Sequence, residues 1–210
     1  MRRRDLLRAA GIFVIGSFAE AAPLSAPRRL KLKNANTGET FEGTYRDEAG
    51  PIPEAMADLV ALLRDHHVNK IGPLDVSTLD FLADVMAATG QGSALVLSAY
   101  RTPETNAKLA KTTFGVAERS QHMYGRALDI SFDKRLADAR NAASRMKRGG
   151  VGWYPRSHFI HIDTGPMRNW ELDGSGFDML LTHRLGPAPG VASRMARLHG
   201  LARQQYLNRR

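Results

Sequence analysis

An α+β domain, with a small and mainly antiparallel sheet flanked by helices, is the fold class that three features of this sequence predict. The first is size: 210 residues with 43% hydrophobic content build one well-buried domain and fall short of two large ones. The second is the helical spacing of apolar residues at Met56, Leu59, Val60 and Leu63, at Leu79, Leu82, Val85 and Met86, and at Leu136, Ala139, Ala143 and Met146. The third is a set of short apolar runs bounded by turn residues, among them 94–98, 127–130 and 159–163.

The chain begins with Arg2, Arg3, Arg4 and Arg8 ahead of an apolar run, and small residues stand at Ala19, Ala21 and Ala22. This is a secretory signal pattern, cut after Ala21 or Ala22. The order Arg3-Arg-Asp-Leu-Leu-Arg8 resembles the twin-arginine export motif. An apolar run of about ten residues is too short for a bilayer span, which needs about 20. The protein is therefore expected outside the cytoplasm, in the periplasm or cell envelope.

After a spacer over 22–28, alternation over 29–33, a turn over 34–38 and a second run over 39–45 predict a hairpin. A helix is expected from Pro53, with His66 and His67 at its foot as surface or helix-dipole residues. Asp75 or Ser77 caps the next helix, which Gly90 ends. Following the strand at 94–98, Thr102 and Pro103 make an N-cap and first-turn pair, which leaves Arg101 in the turn between strand and helix. Residues 114–117 read as a loop leading to the strand at 127–130. A helix is predicted over 133–148, stopped by Gly149-Gly150, and 151–155 and 159–163 then pair as antiparallel strands around Arg156-Ser157.

Net charge is +9, with a pI of about 10.2, and removing residues 1–21 leaves +7. Residues 184–210 hold six arginines and no acid, and 191–207 form a weakly amphipathic segment. Such a segment is either a solvated tail or packed helix, or a contact for anionic lipid or wall polymer. No aromatic-and-basic pattern accompanies the charge, so nucleic acid is not an expected partner. With no cysteine, disulfides, thiolate metal sites and a cysteine nucleophile are excluded, and any metal must be held by His, Asp or Glu.

Two stretches carry ligands of that kind: Ser120-Gln-His-Met-Tyr-Gly-Arg-Ala-Leu-Asp129 and His158-Phe-Ile-His-Ile-Asp163. Alternate strand residues share a face, so Ile160 and Ile162 turn to the core while His161 and Asp163 turn away from it. Leu128 and Ile130 divide from Asp129 in the same way. His122 comes from the preceding loop, where Gly125 permits a tight approach. Ionisable groups set among core-forming residues are costly unless paired or metal-bound. His122, Asp129 and His161 make the two-imidazole, one-carboxylate set that a catalytic zinc needs, with one position open for water. Arg101 is then placed to stabilise an oxyanion.

Four ordered motifs carry a family resemblance: 98–106, 120–130, Gly149-Gly-Val-Gly-Trp-Tyr-Pro155 and 158–165. Together they resemble the murein endopeptidase K-like zinc peptidases, which belong with the D-Ala-D-Ala carboxypeptidases and dipeptidases and share their fold with the hedgehog N-terminal domain. The resemblance implies a single peptidase domain over 29–173, followed by a basic extension over 174–210. It also implies one zinc per chain on His122, Asp129 and His161, with Arg101 at the scissile carbonyl. The implied substrate is a peptidoglycan stem or crosslink peptide. The family's base is an acid three positions before the last histidine ligand, and His158 stands there. An imidazole accepts a proton from metal-bound water with a different pH dependence. Asp163 and Ser120 are the further candidates, as a substitute base or as groups that orient a histidine ligand. The departure at His158 sets a second expectation beside the first: a weak or inactive peptidoglycan-binding module on the same fold. Oligomeric state is not legible in the sequence.

Overall fold

A computed structural model of the protein describes residues 26–112 and 116–172. The expected export signal at 1–21, most of the spacer, residues 114–115 of the expected loop and the basic extension at 174–210 lie outside the described residues. Within them, one eight-stranded sheet runs in the order β3-β2-β1-β4-β5-β7-β6-β8. The pairings β1 with β4 and β6 with β8 are parallel and the rest antiparallel.

The predicted hairpin forms from β1 (Arg28–Asn34) and β2 (Thr40–Asp47), and β3 (Gly50–Pro51) adds a short edge. Helix α1 (Pro53–Leu62) starts with proline at its first turn and buries Leu59 and Leu62, with Leu63 at its C-cap also buried. Asp75 caps α2 (Val76–Thr89) by accepting from the Ser77 amide at 2.9 Å, and Gly90 closes it at φ 65°. After β4 (Ala94–Ser98), α3 (Pro103–Thr112) is capped by the Thr102 hydroxyl, which accepts from the Thr105 amide at 3.1 Å. A single 3₁₀ turn (Gln121–Tyr124) leads into β5 (Ala127–Ser131).

Helix α4 runs over Leu136–Met146, shorter at both ends than the expected 133–148. Arg135 and Lys147 both take left-handed φ values, 57° and 52°, and bound the helix there. Gly150 is consequently free to open β6 (Gly150–Tyr154), which turns at 155–158 into β7 (Phe159–Asp163) as predicted. The chain then adds β8 (Arg168–Glu171), an edge strand that the sequence reading did not separate from the domain's end.

Helices α1, α2 and α4 pack on one face of the sheet. Leu128, Ile130, Val151, Ile160 and Ile162 face them, and Phe81, Leu82 and Val85 of α2 answer from the other side. Each such side chain contributes about 1.5–3 kcal/mol by leaving water. Because the period of a strand is two, the residues between them are committed to the opposite face.

Candidate metal centre

On that opposite face, one row of residues crosses five strands. Ser98 of β4 pairs with Asp129 of β5, Asp129 with His161 of β7, His161 with Gly152 of β6, and Gly152 with Trp170 of β8. The 3₁₀ turn adds His122, and the ligand atoms of His122, Asp129 and His161 all lie within 4.8 Å of one another. All three residues are buried.

Each imidazole is fixed by what lies behind it. His122 Nδ1 is 2.6 Å from the Ala99 carbonyl oxygen, which only accepts, so Nδ1 carries the proton and Nε2 keeps its lone pair toward Asp129 at 3.3 Å. The turn that delivers His122 is itself capped, since Ser120 Oγ accepts from the His122 amide at 3.4 Å. It closes at Gly125, whose φ is 64° and where a Cβ would sit 2.0 Å from the Pro73 oxygen.

His161 lies between two carboxylates, with Nδ1 2.8 Å from Asp129 Oδ1 and Nε2 2.8 Å from Asp163 Oδ2. Asp163 has no exposed surface and is saturated with donors. Besides His161, it accepts from the amides of Gly150 at 3.1 Å and Gly165 at 2.8 Å, and from Arg168 Nη2 at 2.6 Å. It therefore acts as the acceptor behind His161, holding the proton on Nε2 and presenting Nδ1 to the cluster.

Arg101 Nη2 donates to Asp129 Oδ2 at 2.7 Å and lies 3.4 Å from His122 Nε2, while its Nε donates to Ser98 Oγ at 2.8 Å. His158 is exposed, on the turn between β6 and β7 at φ 55°, and its carbonyl accepts from Ser131 Oγ at 2.6 Å. Ser131 shares the ligand face with Asp129, so the backbone of His158 is tied one step along β5 from the cluster. The His158 imidazole is not among the side chains hydrogen-bonded within it.

Burial pushes the His122 pKa down, which keeps the ring neutral and its lone pair available. Burial acts against the charge of Asp129 as well, but the neighbouring His122 and His161 reverse this and hold its carboxyl well below the usual range. Burial likewise disfavours charge on His161, yet its bonds to Asp129 and Asp163 raise its pKa overall. Asp163 is brought down to about 2, burial being outweighed first by His161. Two nitrogen lone pairs and one permanently ionised carboxylate, in buried and oriented positions, fit a divalent transition metal.

A family model described as peptidoglycan L,D-endopeptidase MepK matches residues 22–170. The chain belongs to this family. It is 38% identical over 176 residues to the peptidoglycan L,D-endopeptidase MepK of Escherichia coli K12, covering 80% of this chain and 96% of that protein. The probable peptidoglycan L,D-endopeptidase MepK of Haemophilus influenzae is 34% identical over 148 residues, 69% of this chain and 80% of its own length. The expected resemblance and its α+β fold are thus both found.

Within this MepK-family site, several contributors escaped the sequence reading. The Ala99 carbonyl has no side-chain signature at all. Arg168 and Trp170 lie on the unforeseen β8. The signal that could have revealed them is the alternation Gly150-Val151-Gly152: a Cβ at Gly150 would meet Asp163 Oδ2 at 2.3 Å, and one at Gly152 would meet the Trp170 ring at 2.6 Å. Two glycines alternating with a core valine mark a strand whose outer face is covered by its neighbours' side chains.

Proposed function

We propose that the protein is an exported, zinc-dependent endopeptidase that hydrolyses L,D-crosslinks in peptidoglycan, with one zinc per chain. The observation that carries this reading is the oriented, buried set of His122, Asp129 and His161 on the face opposite α1, α2 and α4, in a chain of the MepK family. His122 Nε2, an Asp129 oxygen and His161 Nδ1 would hold the metal, which when bound supplies Lewis-acid activation of water at neutral pH.

The chain's own groups account for the remaining steps. Asp163 keeps the proton on His161 Nε2 throughout. Arg101, anchored through Nε and Nη2, has Nη1 left among the described residues to donate to the scissile carbonyl oxygen as negative charge develops there. His158 is the proposed base, solvent-accessible and tied to the ligand face through Ser131. Asp163, buried and fully bonded, is assigned the orienting role, and Ser120 the role of capping the turn that carries His122. Export by the twin-arginine route rests on the leader sequence, and contact with anionic wall polymer on the basic C-terminal segment.

Elemental analysis of the purified protein should find one zinc per chain. Mass spectrometry of muropeptides after digestion should show new ends at L,D-crosslinks and none at D,D-crosslinks. Absence of zinc together with absence of cleavage sinks the proposal, and sedimentation with peptidoglycan without new peptide ends would favour a binding module instead.

A further inference from the structure

The motif Gly149-Gly-Val-Gly-Trp-Tyr-Pro155 contributes more than a strand. Tyr154 shares the ligand face of β6 with Gly152, and Gly152 is the cross-strand partner of His161. Because Gly152 has no side chain, Trp170 lies across it, its ring centroid 5.1 Å from that of His161. From there Trp170 Nε1 donates to the Tyr154 hydroxyl at 3.0 Å. The phenol ring is held flat against Phe159, with centroids 4.2 Å apart and planes 12° apart.

An indole N–H only donates, so it occupies a lone pair of the phenol oxygen and leaves that oxygen's single O–H without an acceptor among the described residues. Tyr154 is partly exposed, and it lies near enough to Asp129 and Arg101 for both charges to act on it. Burial raises its pKa, so it remains a protonated donor across the neutral range. Arg101 borders the ligand row at β4, and Tyr154 borders it from β6.

We propose that the Tyr154 hydroxyl is a second hydrogen-bond donor to the substrate, meeting the scissile carbonyl oxygen as it becomes anionic, with Trp170 and Phe159 fixing its direction. The role rests on the peptidase reading above, and it involves no proton transfer.

Tyr154→Phe removes one oxygen and keeps the ring stack. Assayed on purified L,D-crosslinked muropeptides, this variant should lose about 100-fold in kcat, the scale for one oxyanion donor, with KM and zinc content unchanged. Its affinity for a phosphinate analogue of the cleaved peptide, measured by calorimetry, should fall by a similar factor, while affinity for the product peptide stays the same. Trp170→Phe should show a smaller loss of the same type. A Tyr154→Phe enzyme with kcat within about threefold of the parent, or a product affinity that falls together with the phosphinate affinity, overturns the role of Tyr154 alone. A parent enzyme inert on the muropeptides overturns the peptidase reading instead.

Discussion

In β5 and β7 the odd-numbered and even-numbered residues live under opposite physics. Leu128, Ile130, Ile160 and Ile162 are almost wholly removed from water and hold the helices to the sheet. Asp129, His161 and Asp163 are buried as well, yet their burial opposes the ionised states that the site uses and is tolerated only because each group is hydrogen-bonded to another. The same five-residue strand thus secures the fold on one side and strains against it on the other. Cutting into either side should reveal which task it performs.

The largest effect is expected on the ligand side. Asp129→Ala should remove metal binding and lower cleavage by at least about 10³-fold, since the metal's contribution is several kcal/mol of transition-state stabilisation. Elemental analysis and a muropeptide assay read both, and retained hydrolysis would mean that the chemistry lies elsewhere. On the opposite face, Ile160→Ala should cost about 2–5 kcal/mol in urea unfolding of the metal-free protein. Its folded fraction should still bind metal. If Ile160→Ala proved stable but metal-free, the division between faces would be wrong.

A finer cut is made with pH. In the metal-free protein the two carboxylates flanking His161 favour a proton on both of its nitrogens, and a metal on Nδ1 must displace the one there. Affinity should therefore climb with pH until the raised pKa of His161 is passed, and then level off. In the metal-free protein the sign for stability is reversed. The raised group contributes fully below its unfolded value of about 6.5 and loses that contribution as pH rises through its folded value. Asp163, depressed to about 2, contributes above about 3.9 and ceases to as the pH falls through its folded value. Competition titrations with a chelator at several pH values test this. Asp163→Asn should weaken metal binding by about 10–100-fold and move the pH midpoint down, because one of the two carboxylates holding the His161 charge is gone. The smallest change is a control outside both faces: Asp75→Ala should cost about 1 kcal/mol through the lost α2 cap and leave cleavage intact.

The proposed ligand set was legible in the sequence as a buried cluster because alternation exposes it. A histidine or aspartate between two core residues cannot share their face, so His161 and Asp129 announced a polar surface before any fold was known. The caps Asp75, Thr102 and Gly90 were legible for the same reason, a residue type matched to a local backbone need. What stayed hidden depends on tertiary context. Lys147 in a left-handed conformation ends α4, a position that side-chain propensity does not assign to lysine, and of the two glycines read as a helix stop, Gly150 opens β6 instead. Strand β8, mostly exposed, carries little apolar signal, and its parallel pairing with β6 depends on contacts far from its own sequence. Ala99 serves through its backbone oxygen, for which any residue would read alike.

The row from Ser98 to Trp170 also makes a demand on folding. His161 and Asp129 are 32 residues apart in sequence, and the row is complete only when β4, β5, β7, β6 and β8 are all in register. Contacts of such separation carry a larger loop-closure cost than those within the helices and the β1–β2 hairpin. The proposed metal cluster is accordingly complete only in the fully registered sheet, and a chain in which any one of these strands has slipped lacks it.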